Sequence, residues 1–418
     1  MRISTSTLFD VNVASLNTQQ SKLLQINQQI ASGRRILTPA DDPAAAARAL
    51  QVTQSDATNT QYLSNIGTTQ DSASLSEGVL GGVTTLIQNI QSTAVSAGNP
   101  GFAFTDRKIL ASTLQDNLNQ LVSLANTKDG VGNYLFSGFK GSTQPFVDTS
   151  NGVKYNGDDG QRLIQVSSNR QLAASDSGSD IFMRIKNGNG TFVTQPVATN
   201  TGSGVVSLGS LGTPPPTASQ TGNAYTLSFA VAAGVTTYSV TGTDSTGAAL
   251  PTATQPGALP TAVAYTSGQS ISFNGVQFDI QGTPANGDQF TVKPSTYESV
   301  FQTISDFINT LNTPTTAGSA ASAAQLSAGI NRVLGGMDNA LNNVLTTRAS
   351  LGSRLNELTA LQTTGADLGN QYKQTLSNLQ DVDYNKAITD LTQQTTMLQA
   401  AQKSFLQVQN LSMFNYMP

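Results

Sequence analysis

The chain has no cysteine, no histidine and no tryptophan in 418 residues. Without Cys or His it lacks the side chains that most often serve as nucleophile, general base and metal ligand. No disulfide can form at any stage. Charge is scarce too: Asp, Glu, Lys and Arg make up 11% of the residues, against about a quarter in ordinary soluble domains. The formal net charge of −4 supplies no basic surplus to displace counterions from phosphates, so no nucleic-acid partner is expected. No apolar run reaches the roughly 18 residues of a membrane span. The opening stretch, MRISTSTLFDVNVASLNTQQ, has no apolar region followed by small residues, so no cleaved signal peptide is expected. Nothing matches a phosphate loop or a dinucleotide fingerprint. These absences point away from an enzyme, with no catalytic, cofactor or metal site expected.

Ser, Thr, Asn, Gln and Gly fill the space that charge leaves, and their arrangement changes along the chain. Up to about residue 135 the apolar period is helical. Phe9, Leu16, Leu23, Ile30 and Leu37 recur every seventh position, a narrow stripe of the coiled-coil kind. In TPADDPAAAARAL, Asp42 suits a helix cap and Pro43 the first helical position. The break at Gly98-Asn99-Pro100-Gly101 divides two amphipathic stretches. From about 136 to 295 the period becomes two, as in Tyr225, Leu227, Phe229 and Val231 and in Val276, Phe278 and Ile280. Asn156-Gly157, Asn187-Gly188, Asn274-Gly275 and Asn286-Gly287 are hairpin dipeptides. From about 296 the helical period returns, and Ile388, Leu391, Leu398, Phe405 and Val408 mark a second terminal stripe.

The expected fold class is therefore α+β: a long antiparallel helical coiled coil or bundle made by both chain ends, with an inserted β-rich domain. The expected divisions are an assembly helix over 1–40, the two halves of a helical rod over 41–135 and 296–380, the β domain over 136–295, and a terminal assembly helix over 381–418. Asp41-Asp42 is better read as helix capping than as a metal-binding pair. Asp158-Asp159 in NGDDG lacks the spacing of a calcium loop and reads as a turn. Gly81-Gly82 and Gly335-Gly336 fall inside helical patterns, where they permit close packing or a bend. Arg34, Arg35 and Arg48 are too few for a nucleic-acid face and are read as contacts to neighbouring subunits.

A stripe as narrow as the N-terminal one cannot repay the ordering of its own backbone, because five apolar side chains bury too little surface. Such a helix needs a second helix on its seam, and the C-terminal stripe of the same chain is the obvious partner. A heptad stripe more often marks an ordinary intramolecular bundle than an interface between copies, and the spacing alone does not prove polymerisation. If the seams are instead completed by other copies, the terminal segments become ordered on assembly. The assembly interface is then Phe9, Leu16, Leu23, Ile30, Leu37, Ile388, Leu391, Leu398, Phe405 and Val408.

The block SGRRILTPADDPAAAARAL resembles the helical start shared by flagellins and hook-associated proteins. RASLGSRLNELTAL and SNLQDVDYNKAITDLTQQTTMLQAAQKSFLQVQNLSMF resemble their matching C-terminal region. Three features are similar to the junction members of this flagellin superfamily rather than to flagellin: the opening MRIST, the segment GNYLFSGFKGSTQPF and the ending LSMFNYMP. The resemblance implies a structural subunit of a tube at the bacterial hook–filament join, self-associating, with hook-associated protein 1 on the hook side and flagellin on the filament side. It further implies type III export in an unfolded form to an extracellular location. A cytoplasmic chaperone would bind Leu391, Leu398, Phe405 and Val408. The resemblance covers roughly residues 1–180 and 270–418; within about 195–270 no segment is recognised, which is expected of a lineage-specific insert. The rival expectations are flagellin itself and a secreted adhesin on a helical stalk.

Overall fold

A computed structural model describes residues 5–150, 152–217, 220–251, 259–314 and 319–410. Helix α1 (Thr5–Ser32) ends where Gly33 turns left-handed at φ 70°, a conformation that costs glycine no steric penalty. Helix α2 (Pro43–Ala97) starts on its proline, and the Asp42 carboxylate accepts the Ala45 N–H at 3.0 Å. The break after Ala97 leads to α3 (Phe104–Ala125). Helices α4 (Val300–Asn312), α5 (Ala320–Gln380) and α6 (Tyr384–Asn410) follow the β region. The return of the helical period after residue 296 thus begins as a short separate helix. The Ser299 hydroxyl caps it by accepting the Gln302 N–H at 3.0 Å.

The intervening strands are β1 (Phe146–Thr149), β2 (Gly152–Tyr155), β3 (Leu163–Ser167), β4 (Arg170–Ala173), β5 (Ile185–Lys186), β6 (Phe192–Pro196), β7 (Val205–Val206) and β8 (Ser210–Leu211). They continue as β9 (Ala224–Ala232), β10 (Val235–Thr243), β11 (Val263–Ala264), β12 (Ser270–Phe273), β13 (Val276–Gln281), β14 (Gln289–Pro294) and β15 (Tyr297–Glu298). One sheet has the order β11-β10-β9-β14-β6, a second has β12-β13-β7 with β8 also on β13, and three more are two-stranded pairs. The two larger sheets share one core. Leu227, Phe229, Phe290 and Val292 of the first meet Ile271, Phe273, Phe278 and Ile280 of the second, all buried. Strict alternation along β9, β13 and β14 produces this, because every second side chain points the same way.

The chain divides into two compact units, one of residues up to Ile66 and from Ala360 onward, the other of Gly67–Thr359. Helices α2 and α5 contribute to both. In the second unit α2, α3, α4 and α5 bury Leu80, Val83, Ile87, Leu114, Leu121, Ile304, Val333 and Met337 against one another. Phe146 sits at the end of this core with its ring 5.3 Å from both Phe182 and Phe301. Gly335 and Gly336 lie in an unbroken helix and act through space: a Cβ there would stand 2.6 Å from the Leu208 side chain and 2.7 Å from that of Thr303. They permit close approach to α5. The β3–β4 hairpin and the segment after it are fastened to α5 by ion pairs, Arg170 to Glu357 at 2.6 Å and Asp176 to Arg354 at 3.0 Å. The NGDDG segment is a loop latch, in which the Asp158 carboxylate accepts the N–H groups of Phe139 and Gly160 at 2.9 Å. These bonds hold its pKa below the ordinary carboxylate value.

Candidate assembly interface

In the first unit α1 lies along α6. Phe9 meets Phe405 at one end, ring centroids 5.3 Å apart, and the main chains of Arg34 and Asp381 form an antiparallel bridge at the other, so the two helices run antiparallel. Leu16, Leu23, Ile30, Leu391, Leu398 and Phe405 are half-buried, while Phe9 is still 45% exposed. Leu37 is also half-buried, but it lies beyond the end of α1, where its N–H donates to Asp41 at 3.0 Å. The heptad count carries across the glycine that stops the helix. Ile388 is 53% exposed, and its neighbour Ala387 holds the buried position. Val408 lies outside the residues whose side chains are described.

Both helical breaks of this unit are joined through the main chain. The Arg35 N–H donates to the Gln380 carbonyl at 2.6 Å, and the Val382 N–H donates to the Gly33 carbonyl at 2.9 Å. The Arg35 guanidinium reaches the Leu379 carbonyl at 2.8 Å and Asp42 at 3.4 Å, so this arginine is engaged within its own chain. The Arg35 side chain nonetheless stays 47% exposed, so this intrachain engagement leaves its reading as a contact to a neighbour open. Asp41 accepts the N–H groups of Leu37 and Thr38, and Asp42 accepts that of Ala45. Backbone hydrogen bonds, from Thr38 and from Ala45 respectively, hold both carboxyls below their ordinary pKa. Neither is part of a metal cluster: no group of three His, Cys, Asp or Glu able to hold an ion occurs among the described residues.

Further along, α2 and α5 are drawn together where Asn59 Nδ2 donates to the Gly365 carbonyl at 2.8 Å. A Cβ on Gly365 would stand 2.7 Å from the Leu63 side chain. Yet the unit has little interior. Among the described residues its buried apolar side chains are Ala49, Ile66 and Ala387.

Two features of this surface escaped the sequence reading. Val11 (62% exposed), Leu24 (61%), Met397 and Leu406 (56%) stand outside the seam as uncovered apolar side chains. On α6 the hydroxyls of Thr389, Thr392 and Thr396 each donate to the carbonyl four residues earlier at 2.8 Å. Their hydrogen bonding is satisfied inside the helix, leaving their methyl groups for the outer face. With Gln393, Met397 and Ala400 they line a shallow open groove. The seam is also imperfect. The amide oxygens of Gln19 and Gln394, which the antiparallel register places at similar levels, are buried with no hydrogen-bond partner. Each such orphan costs about 1–3 kcal/mol. Considered alone, this unit combines a weakened seam with bare apolar flanks, a surface suited to covering by other helices.

Two family patterns match at the ends of the chain: the bacterial flagellin N-terminal helical region over residues 3–141 and the bacterial flagellin C-terminal helical region over 334–417. Over 415 residues the chain is 29% identical to flagellar hook-associated protein 3 of Salmonella typhimurium and 30% identical to that of Escherichia coli, covering 99% of each partner in both alignments. The crystal structure of flagellar hook-associated protein 3 from Legionella pneumophila superposes with a TM-score of 0.70 at 33% identity, over 79% of this chain and 98% of that one. Xanthomonas campestris FlgL gives 0.69 at 30% identity, over 78% and 99%. With α1, α2 and α3 inside the first pattern, most of α5 and all the described part of α6 inside the second, and likeness running end to end, the chain belongs to the flagellar hook-associated protein 3 family.

Proposed function

We propose that the chain is the subunit that joins hook to filament in its bacterial flagellum. It acts as a structural element with copies of itself, hook-associated protein 1 on one side and flagellin on the other. One observation carries the reading: likeness to hook-associated protein 3 extends over 99% of both chains, β region included. The terminal unit agrees with it. Its uncovered Val11, Leu24, Met397 and Leu406 offer apolar surface to neighbouring helices, and α1 carries only Asp10 and Lys22 as charges, so most of its polar surface can be buried at lower cost than charge. In this reading the contact set is Phe9, Leu16, Leu23, Ile30, Leu37, Ile388, Leu391, Leu398, Phe405 and Val408, extended by the four uncovered side chains.

The protein reaches the outside of the cell through the flagellar type III apparatus, unfolded, a route that suits a chain without cysteine. A cytoplasmic chaperone takes the α6 stripe of Leu391, Leu398, Phe405 and Val408 and competes with α1 for it. A deletion strain tests the proposal. Its hooks should be complete, its filaments absent and its flagellin shed into the medium. Normal filaments in that strain would end it.

A further inference from the structure

Between Lys186 and Asp279 the chain carries one charged residue, Asp244. Even that one is engaged locally: its carboxylate accepts the Thr246 N–H at 2.8 Å, the Ala248 N–H at 2.9 Å and the Thr246 hydroxyl at 2.6 Å. Asp288 nearby is buried and accepts the N–H groups of Thr201, Gly202 and Ala285. The two-sheet domain therefore presents outer faces nearly free of charge. Because Phe290 and Val292 point inward, Gln289, Thr291 and Lys293 point outward on β14. They continue a row with Thr226 of β9 and Thr241 of β10. On the other sheet Val276, Phe278 and Ile280 point inward, so Gln277, Asp279 and Gln281 point outward, beside Ser270 and Ser272 of β12.

Each outer face thus carries a single charge on these strands, positive on one and negative on the other. Neither Lys293 nor Asp279 belongs to an ion pair among the described residues. The Asp279 carboxylate accepts the Gln281 side-chain amide at 3.5 Å, a distant contact. Placing identical copies side by side brings like charges together unless contact faces are neutral or mutually complementary. A ring or helix of equivalent subunits is built from heterologous contacts, in which one face meets a different face of the next copy. A neutral face with one cation and a neutral face with one anion satisfy both conditions.

We propose that the outer face of the five-stranded sheet docks on the outer face of the four-stranded sheet of the next copy, with Lys293 opposite Asp279. The proposal rests on the self-association inferred above and assigns it a second contact, away from the terminal helices. The native absence of cysteine makes the test clean. Lys293→Cys and Asp279→Cys, combined in one chain, should give a ladder of multimers when purified flagella are treated with a short thiol cross-linker. Either single variant should give no ladder. Dimers from a single variant, or an unlinked double variant present in the flagella, would overturn the contact. A second arm uses charge. Lys293→Asp and Asp279→Lys should each lower the amount of subunit retained in flagella by about tenfold, and the combined exchange should restore it. A combined variant no better than either single one would also overturn it. Absence of the chain from wild-type flagella would remove the proposed function itself, and this contact with it.

Discussion

Phe146 and Leu398 show how differently the two units use their apolar side chains. Phe146 is fully enclosed by aromatic neighbours from its own unit. Leu398 is half-buried on a helix whose flanks carry Met397 and Leu406 in the open. Residues 67–359 build two cores, whereas the chain ends build a seam with almost no interior. A domain with its own core is stable before assembly. On the proposed function, a seam of this kind gains most of its stability from what is added to it.

The largest test of that contrast pairs the two residues. Phe146→Ala should lower the main cooperative unfolding transition of the monomer in urea by about 3–5 kcal/mol. Leu398→Ala should leave that transition within about 0.5 kcal/mol of wild type and instead abolish incorporation into flagella. Equal losses in the monomer would erase the distinction. Next comes Asp176→Ala, which leaves the Arg354 guanidinium, at 12% side-chain exposure, without its counter-charge and with the Ala173 carbonyl as its remaining partner. It should cost the same transition about 2–3 kcal/mol by denaturant titration.

A change in the opposite direction sharpens the comparison. Gln19→Leu together with Gln394→Leu removes both orphaned amides from the seam and should stabilise the α1–α6 pair by about 1–2 kcal/mol per site. Amide hydrogen exchange on the monomer reads this out, and unchanged protection along α1 would count against it. The smallest effect belongs to the turn after α1. Asp41 and Asp42 have pKa values below those of the unfolded chain, so their contribution is present above about pH 4 and fades as pH falls through the lowered values. Asp42→Ala should loosen the first turn of α2 at neutral pH and flatten that acid dependence, as followed by NMR shifts of Ala44 to Ala47.

Much of this was legible because it is local. Asp42-Pro43 announces a helix start through capping chemistry, and the alternation in β9, β13 and β14 announces which side chains turn inward. What the heptad count missed is equally physical. Periodicity extends through Gly33 on paper, but a left-handed residue ends the helix and leaves Leu37 in a turn. Ile388 fits a stripe by type while the small Ala387 fits the gap, a choice made by spacing between two helices and invisible in either alone. The threonines of α6 look polar in sequence and become apolar only once their hydroxyls turn back on their own helix. Short strands such as β5, β7 and β8 carry no period at all.

The crossing of the two helical breaks has a mechanical corollary. Its links run from amide to carbonyl between 33–35 and 380–382. Most side-chain replacements therefore leave them in place, and proline at 35 or 382 would remove one outright. Such a fastening keeps α1 and α6 abreast at a fixed level. A slip of one helix along the other would have to break these links first, so the register of the whole seam is locked from its inner end.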